Sequence, residues 1–460
     1  YAAIYAKNAD KVFVTLAEGA DNSLTVSGDY VQTDDNNVDA VIFAKCDLTL
    51  NGTGSLTVKD TTGHGIVSKD DLVVTGGTYT IDSQDHCLNG KDSVRIADGT
   101  FNLSCDEDGI HAGNDDQQDG YVYIEGGDIN ISVGDDAIHA EGLLIITGGD
   151  IDVSKSYEGV EGYKILVTGG DIDVVSSDDG FNAAGGSSGS GDNHDGFGDS
   201  SGSGDNHDGF GGDPGMGGVY MDADSDAYIL ITGGMININA DGDGIDSNGG
   251  IGITGGSVYV LGPSDNGNGA MDYGICAAIT GGEIVAVGGS GMAQGFGDES
   301  TQGSALVNFD EWVDAGETIT LTDSDGKEVL SYKVDKKFNS VVISTSDMKQ
   351  GDNYTLTVGD QNSTFTLDDI TYSEGSGGMQ GPGGNSDNGG MQRPGGNSDE
   401  GNMQRPGGNS DEGNMQRPGG NSDEGNIQRP DGDSDNGQNN STNGSLQNKD
   451  NSSSSDSMSI

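Results

Sequence analysis

A ten-residue phrase recurs along the chain, and its spacing limits the fold more than any other feature of the sequence. The phrase alternates apolar and polar residues around a central Thr-Gly-Gly, as in LIITGGDIDV from Leu144 and ILVTGGDIDV from Ile165. Related copies start at Leu72, Val94, Val122, Ile229, Ile251 and Ala277. The copies at Val122, Leu144 and Ile165 start 22 and 21 residues apart. This period indicates one supersecondary unit stacked many times.

Each copy has the pattern of short strands. Ile and Val alternate with polar residues at a period of two, and Gly and Asp bound each run, which favours strands joined by tight turns. No window shows the 3.6-residue apolar stripe of an amphipathic helix. A leucine-rich repeat has a similar period but requires Leu and Asn at positions where this sequence lacks them. The prediction is an all-β protein, a parallel β-helix with rungs of about 21–22 residues.

Changes in composition divide the chain into three predicted parts. Residues 1–303 carry the repeats and form the predicted β-helix, which a Gly-, Ser- and Asp-rich insertion at 187–218 interrupts as a flexible loop. Residues 304–373 lack the phrase and predict a small antiparallel β module that caps the last rung. Residues 374–460 repeat MQRPGGNSDEGN and predict a disordered tail, with either a tethering role or none.

The charge balance excludes several function classes. With 77 acidic and 19 basic residues, the chain has a formal net charge of −58, which disfavours direct binding to nucleic acid or anionic lipid. No apolar run approaches the roughly 20 residues that cross a bilayer. Because Tyr1 lies in a patterned segment, we expect further sequence upstream, such as an export signal. The cysteines are widely spaced and predict packed thiols, without a disulfide framework or zinc site: Cys46, Cys87, Cys105 and Cys276.

A second, acidic phrase follows most copies of the first. Its copies are DHCLN from Asp85, EDGIH from Glu107, DDAIH from Asp135, YEGVE from Tyr157, DDGFN from Asp178 and GDGID from Gly242. The fourth position is always apolar and is predicted to point inward, which turns the third and fifth outward and leaves the second exposed at the turn. The second positions are His86, Asp108, Asp136, Glu158, Asp179 and Asp243, and the fifth positions are Asn89, His111, His139, Glu161, Asn182 and Asp246. Stacking predicts two polar ladders beside a bare groove of Gly and Ala.

Stacked carboxylates require a compensating charge. Rungs lie about 4.8 Å apart, and Ca²⁺, which binds oxygen at about 2.3–2.6 Å, reaches two rungs better than Mg²⁺ does. The predicted Ca²⁺ ligands are Glu107, Asp108, Asp135, Asp136, Glu158, Glu161, Asp178, Asp179, Asp241, Asp243 and Asp246. For any single Asp the alternative is a turn residue without a ligand. For His111 and His139 the sequence favours hydrogen bonding within the ladder over transition-metal ligation.

No motif identifies an enzyme. The sequence has no recognisable nucleophile elbow, catalytic Cys/His pair or phosphate loop, and its acid pairs are too numerous to single out a glycosidase pair. A lyase acting by β-elimination needs a base, for which Lys155 is the best candidate. The prediction is a non-catalytic protein, with a calcium-dependent pectate-type lyase as the alternative.

Further segments carry a family resemblance: AAIYAKNADKVFVTLAEG at 2–19, LTLNGTGSLTV at 48–58, GHGIVSKDD at 63–71 and GNGAMDY at 267–273. Together with the repeats, they resemble the carbohydrate-binding β-helix proteins of cellulolytic clostridia, over about residues 1–372. The resemblance implies a right-handed parallel β-helix akin to polysaccharide lyases, without demonstrated lyase activity, that holds Ca²⁺, binds polygalacturonate and cellulose, and is displayed outside the cell. The family's D-D-G-I phrase maps onto Asp135–Asp136, Asp178–Asp179, Glu107–Asp108 and, less closely, Asp241 and Asp243, whereas His86 and Tyr157 depart from it.

The negative charge of the chain independently supports an acidic polysaccharide, bound through cations, as the ligand. An acidic protein holds an acidic polymer only through cations between them, so we expect Ca²⁺-dependent binding of acidic plant cell-wall polysaccharide, pectic uronates above all, by a monomer at the bacterial surface. Cellulose is a second expected ligand and a structural adhesin stalk a further alternative. The predicted carbohydrate-binding residues are Tyr157, Tyr163, His111, His139 and Asn182.

Overall fold

The computed structural model describes residues 1–113, 120–183 and 223–374, so the predicted insertion at 187–218 and, apart from Glu374, the predicted tail lie outside the described residues. The described residues form strands and no α-helix, and none of them could cross a membrane as a helix. In chain order the strands are β1 Ile4–Ala6, β2 Lys11–Leu16, β3 Asp21–Val26, β4 Ala40–Ala44, β5 Asp47–Gly52, β6 Ser55–Asp60, β7 His64–Ser68, β8 Asp71–Asp82, β9 Leu88–Gly90, β10 Ser93–Cys105, β11 Ile110–Ala112, β12 Tyr121–Ile124, β13 Asp128–Val133, β14 Ile138–Ile146, β15 Asp150–Ser156, β16 Val160–Val167, β17 Asp171–Ser176, β18 Phe181–Ala183, β19 Tyr228–Ile231, β20 Met235–Ala240, β21 Ile245–Ser247, β22 Gly250–Ile253, β23 Ser257–Leu261, β24 Met271–Tyr273, β25 Cys276–Ile279, β26 Glu283–Gly288, β27 Ser304–Val313, β28 Thr318–Asp323, β29 Glu328–Lys333, β30 Phe338–Ser344, β31 Asn353–Val358, β32 Gln361–Thr366 and β33 Thr371–Glu374.

The strands pair in three parallel ladders, and each rung contributes one stretch of strand to every ladder. The long strands β8 and β10 belong to ladders A and B, and β14 and β16 belong to ladders C and A. Ladder A contains β2, β5, β8, β10, β12, β14, β16, β19, β22 and β25. Ladder B contains β3, β6, β8, β10, β13, β15, β17, β20, β23 and β26. Ladder C contains β1, β4, β7, β9, β11, β14, β16, β18, β21 and β24. The predicted all-β, parallel β-helix is confirmed.

The core is a stack of apolar side chains that repeats from rung to rung. In ladder A, Val122, Leu144 and Ile165 share one register position and are fully buried. Their neighbours along each strand face outward, as the period-two pattern predicts. Burying each such side chain stabilises the fold by about 1.5–3 kcal/mol. The cysteines are free thiols, and three of the four are buried.

The Thr-Gly-Gly turn joins ladder A to ladder B, and its two glycines have different roles. Gly149 has a φ of 107°, a conformation that strains residues with a side chain. A Cβ on Gly148 would lie 2.6 Å from the carbonyl oxygen of Glu125 on the preceding rung. The first glycine therefore allows the close approach of the rungs, and the second supplies the turn conformation.

The third position of the acidic phrase faces the core. Cys87 and Ala137, which occupy it on two rungs, are fully buried. A Cβ on Gly159 would lie 2.4 Å from the carbonyl oxygen of Gly180 and 2.3 Å from a methyl group of Val174. The outward orientation and the bare groove predicted for this position are therefore wrong, because small residues are required here by crowding inside the corner.

Residues 304–374 add a second group of strands. β30 pairs antiparallel with β26, the last strand of ladder B, and with β27. β28, β29, β31 and β32 form a separate antiparallel sheet, and β33 pairs in parallel with β27. Val285 and Val287 of β26 share an apolar cluster with Phe338 and Ile343 of β30. The antiparallel strand thus occupies an edge that would otherwise be open to another chain.

Candidate functional site

The strands of ladder C, together with the bends before them, carry the two predicted series of polar side chains. Strand pairing aligns the fifth positions from Asn89 through His111, His139, Glu161 and Asn182 to Asp246. The register also adds two residues that the sequence analysis missed. His64 lies two residues before Ile66, which pairs with Leu88, and Asp272 pairs with Asp246. The segments GHGIV and GAMD, which share the spacing of the acidic phrase, contained this signal.

The second position has a structural role as a hydrogen-bond acceptor. Asp108 Oδ1 accepts the backbone N–H of Asp136 at 3.0 Å, and Asp136 Oδ1 accepts that of Glu158 at 3.2 Å. The same contact joins His86 Nδ1 to the N–H of Asp108, Asp179 to that of Asp243, and Asp243 to that of Gly269. Each side chain thus satisfies a backbone donor of the next rung at the bend before ladder C. One oxygen of each carboxylate remains for other contacts.

These remaining oxygens converge on His139. Its Nδ1 lies 3.7 Å from Asp108 Oδ2, 3.4 Å from Asp136 Oδ2 and 3.3 Å from Glu161 Oε2. Asp108 and Asp136 are only 4% and 6% exposed. The predicted exposed acidic stripe is therefore a recessed cluster that three successive rungs build.

Burial and mutual repulsion shift the pKa values of this cluster. Burial raises the pKa of Asp108 to about 8, of Glu158 to about 10 and of Glu161 to about 9. Burial alone would lower the pKa of His139, but its hydrogen bond to Asp136 and the nearby carboxylates raise it to about 10. The pKa of Asp136 is lowered despite its burial, because His139 and Glu161 hydrogen-bond to it. At neutral pH the cluster therefore retains protons that a divalent cation would displace.

One part of the cluster offers oxygen donors alone. Carboxylate oxygens of Asp136, Glu158 and Glu161 lie within 4.8 Å of one another. Asn182 donates from Nδ2 to Glu158 Oε2 at 2.9 Å, while its buried Oδ1 has no hydrogen-bond partner. We call Asp136, Glu158, Glu161 and Asn182 the oxygen group. Hard oxygen donors, including an amide oxygen in need of a partner, are what Ca²⁺ binds.

The acids continue on the following rungs. Burial raises the pKa of Asp179 to about 7, and those of Asp243 and Asp246 to about 8, with further repulsion among them. Burial also raises the pKa of Asp272, whose Oδ1 accepts a hydrogen bond from Gln294. These residues form a second acidic patch along ladder C.

The opposite end of the cluster is rich in histidine. The rings of His64 and His86 stack with centroids 5.1 Å apart, those of His86 and His111 at 4.5 Å, and His111 meets His139 edge-on at 5.2 Å. Burial lowers the pKa of His86 to about 2 and that of His111 to about 3, so both imidazoles are neutral. His139 fits the predicted hydrogen-bonding role, whereas Nδ1 of His111 is buried without a partner.

Other predicted site residues lie at the rim or elsewhere. Asp241 has a side chain that is 74% exposed and pairs with Lys336 at 3.0 Å, so this contact draws it away from the cluster. Tyr163 donates to Asp224 Oδ2 at 3.0 Å, at the corner between ladders C and A. Tyr157 is 36% exposed, and its hydrogen bond to Asp178 raises its pKa. At the first position, Glu107 is half-buried and Asp135 is exposed.

A family model and a curated protein that match this chain are both described as carbohydrate-binding. Residues 1–195 match a family model described as "Carbohydrate-binding domain-containing protein". A protein of that description from Acetivibrio thermocellus is 42% identical over 156 residues, which are 33% of this chain and 54% of the relative. The chain thus spans about half the length of the curated relative it matches. The predicted resemblance to clostridial carbohydrate-binding proteins is confirmed at this level, and the matched residues include the histidines and the oxygen group.

One solved structure also matches. It is titled "Structure of the polysaccharide lyase-like protein from C. thermocellum, Gadolinium derivative" and shares 35% sequence identity. The match covers 37% of this chain and 65% of that chain, with a TM-score of 0.30.

Proposed function

We propose that this chain is a non-catalytic protein that binds acidic plant cell-wall polysaccharide, with pectic uronates such as polygalacturonate preferred, through Ca²⁺ held on ladder C. The observation that carries the proposal is the oxygen group, in which two buried carboxyl groups and the partly buried Glu161 lie together beside an unpartnered amide oxygen. The match of residues 1–195 to a carbohydrate-binding family model supports the class of ligand. We place this binding at the bacterial cell surface, where such polymers are met.

The protein contributes a rigid and charged receptor. The backbone N–H of Glu158 fixes one oxygen of Asp136 and thereby orients the other toward Glu161 and His139. Asn182 holds Glu158 in place. When bound, Ca²⁺ supplies positive charge and open coordination positions that accept uronate oxygens. Because strands carry Glu161 and Asn182 and a hydrogen bond to the next rung fixes Asp136, little conformational entropy is lost when the site is filled.

The rim of ladder C presents residues suited to sugar contact. Tyr157 offers an exposed ring for stacking against a sugar, and its hydroxyl is held by Asp178. His139 lies beside the oxygen group and can hydrogen-bond to hydroxyl or carboxylate groups. With a net charge of −58, the protein repels a polyanion unless cations intervene. Cellulose, being neutral, would depend on tyrosine stacking and not on Ca²⁺.

Retention on insoluble pectate tests the proposal. We expect wild-type protein to be retained in Ca²⁺, released by chelator and retained again when Ca²⁺ is restored. Glu161→Gln should lose Ca²⁺-dependent retention, whereas Asp241→Asn, which removes one exposed acid outside the oxygen group, should behave as wild type. Retention that ignores the chelator, or no retention at all as expected of an adhesin stalk, would contradict the proposal.

Absence of catalysis is part of the proposal. Lys155, the candidate base of the alternative lyase, is exposed on β15 in ladder B, whereas the acids lie on ladder C. We expect no unsaturated product, followed by ultraviolet absorbance, when the protein is incubated with polygalacturonate and Ca²⁺. Product that Lys155→Ala abolishes would instead establish the lyase.

A further inference from the structure

The histidine end of the cluster has a different donor chemistry from the oxygen group. His64, His86, His111 and His139 lie on four successive rungs, and the proposed function uses only His139. Ca²⁺ takes oxygen ligands, whereas imidazole nitrogen suits Zn²⁺, Ni²⁺, Co²⁺ and Cu²⁺. The stacked imidazoles therefore call for a separate explanation.

The contacts of His86 direct the lone pair of its Nδ1 toward Asp108. Its Nδ1 accepts the backbone N–H of Asp108 at 3.1 Å, so the lone pair of a neutral ring is on that nitrogen. Its Nε2 lies 3.4 Å from Glu107 Oε2, which can accept the remaining N–H. A carboxylate behind a ligating histidine is the usual support for such a ligand. A bound ion would take over the lone pair that Asp108 N–H now uses.

Asp108 and His111 supply two further donor atoms beside His86. Asp108 Oδ1 is fixed by the backbone N–H of Asp136, and Oδ2 lies 3.3 Å from His86 Nδ1. Two ligands at about 2.0–2.1 Å from a tetrahedral ion are separated by about 3.3–3.4 Å. His86, Asp108 and His111 each place a donor atom within 4.8 Å of the others.

Two buried nitrogen atoms give a second and independent indication of a bound cation. Nδ1 of His111 and Nδ1 of His64 are inaccessible to solvent and have no hydrogen-bond partner. A buried polar atom without a partner costs about 1–3 kcal/mol. A cation bound at His111 would remove this cost there.

We propose that His86, Asp108 and His111 bind one divalent transition-metal ion of the zinc class, with Glu107 supporting His86 and with His64 at the edge of the site. This site is separate from the oxygen group, because it shares none of that group's residues. It does not depend on the proposed polysaccharide function, so either proposal can fail alone.

Metal titration of the full chain tests the site. Metal-free protein is titrated with Zn²⁺ by calorimetry in excess Ca²⁺, which occupies the oxygen group. We expect about one Zn²⁺ per chain, and His111→Gln should weaken its binding by roughly tenfold or more. Glu161→Gln is the matched control and should leave Zn²⁺ binding unchanged. Zn²⁺ binding that His111→Gln does not alter, or that Glu161→Gln abolishes, would overturn the proposal.

A spectroscopic measurement on wild-type protein covers the case in which the His111 variant fails to fold. Cu²⁺ added in excess Ca²⁺ should give an electron paramagnetic resonance spectrum with hyperfine splitting from two imidazole nitrogens. A spectrum with oxygen ligands alone, or with no bound Cu²⁺, would refute the site without any substitution.

Discussion

Glu158 is a residue whose ionisation opposes the folded state as the pH rises. Burial, followed by the charges of Glu161 and Asp136, raises its pKa from 4.5 to about 10. Because the folded pKa is raised, the stability associated with the bound proton is complete below pH 4.5 and is lost as the pH rises toward 10. Each such group gives a slope of up to about −1.4 kcal/mol per pH unit. In chelator, Glu158→Gln, which can still accept from Asn182, should flatten this slope and exceed wild type in stability at pH 8.

Denaturant unfolding at pH 5 and pH 8 checks this expectation, with Asp241→Asn as the control that keeps the wild-type slope. Equal slopes for wild type and Glu158→Gln would contradict the burial of this charge. Restoring Ca²⁺ at pH 8 should stabilise wild type and leave the variant nearly unchanged, since the variant has lost a ligand of the oxygen group.

The alignment of rungs predicted which residues share the site but not what each side chain contacts. Alternation along a strand says nothing about the turn before it, so the acceptor role of Asp108 and Asp136 toward the next rung was not foreseen. Glycine at the third position was interpreted as an open surface, whereas Gly159 is small because it faces the core. Asp241 is predicted as a Ca²⁺ ligand from its loose match to the family's acidic phrase, and its ion pair with Lys336, which is distant in sequence, could not be foreseen.

Strand β14 shows how the alternation of buried and outward-facing side chains determines which residues of a strand stabilise the fold. Ile146 is fully buried, whereas its neighbour Ile145 faces outward and is partly exposed. Ile146→Ala should therefore destabilise the protein by about 2–5 kcal/mol through lost burial and a cavity. Ile145→Ala, the same substitution one residue away, should cost less than about 1 kcal/mol. Chemical unfolding compares the two, and equal losses would mean that β14 has another register.

The strands of ladders A and B could be predicted from the sequence because they flank the Thr-Gly-Gly turn, whose glycines are fixed by backbone geometry at positions such as Gly148 and Gly149. The strands of ladder C were harder to define. β9, β11 and β18 have three residues each, which is too short for a periodic pattern. The pairing of β30 with β26 depends on contacts between segments far apart in the chain, which no local pattern encodes.

For the molecule as a whole, repetition makes ladder C a series of related sites and not one site. The histidines, the oxygen group and the second acidic patch occupy consecutive rungs, and the first two lie within residues 1–195, which match the family model. The acid count predicted that cations are needed, but composition alone could not show that many of these acids are recessed. Their burial would let the fold hold a bound cation at fixed positions, beyond the general attraction of a charged surface.

Thermal unfolding distinguishes a cation bound at a specific site from general screening of the protein's charge by salt. With a net charge of −58, any salt should raise the melting temperature of the chelated protein by weakening self-repulsion. Ca²⁺ bound to the folded state adds RT ln(1 + [L]/Kd), about 2.7 kcal/mol at a hundredfold excess over Kd. At equal ionic strength we therefore expect Ca²⁺ to raise the melting temperature more than Na⁺ or Mg²⁺ does, and Glu161→Gln to abolish the difference. If Na⁺ at matched ionic strength reproduces the whole rise, the acids of ladder C are screened and hold no ion, and the calcium-dependent function loses its basis.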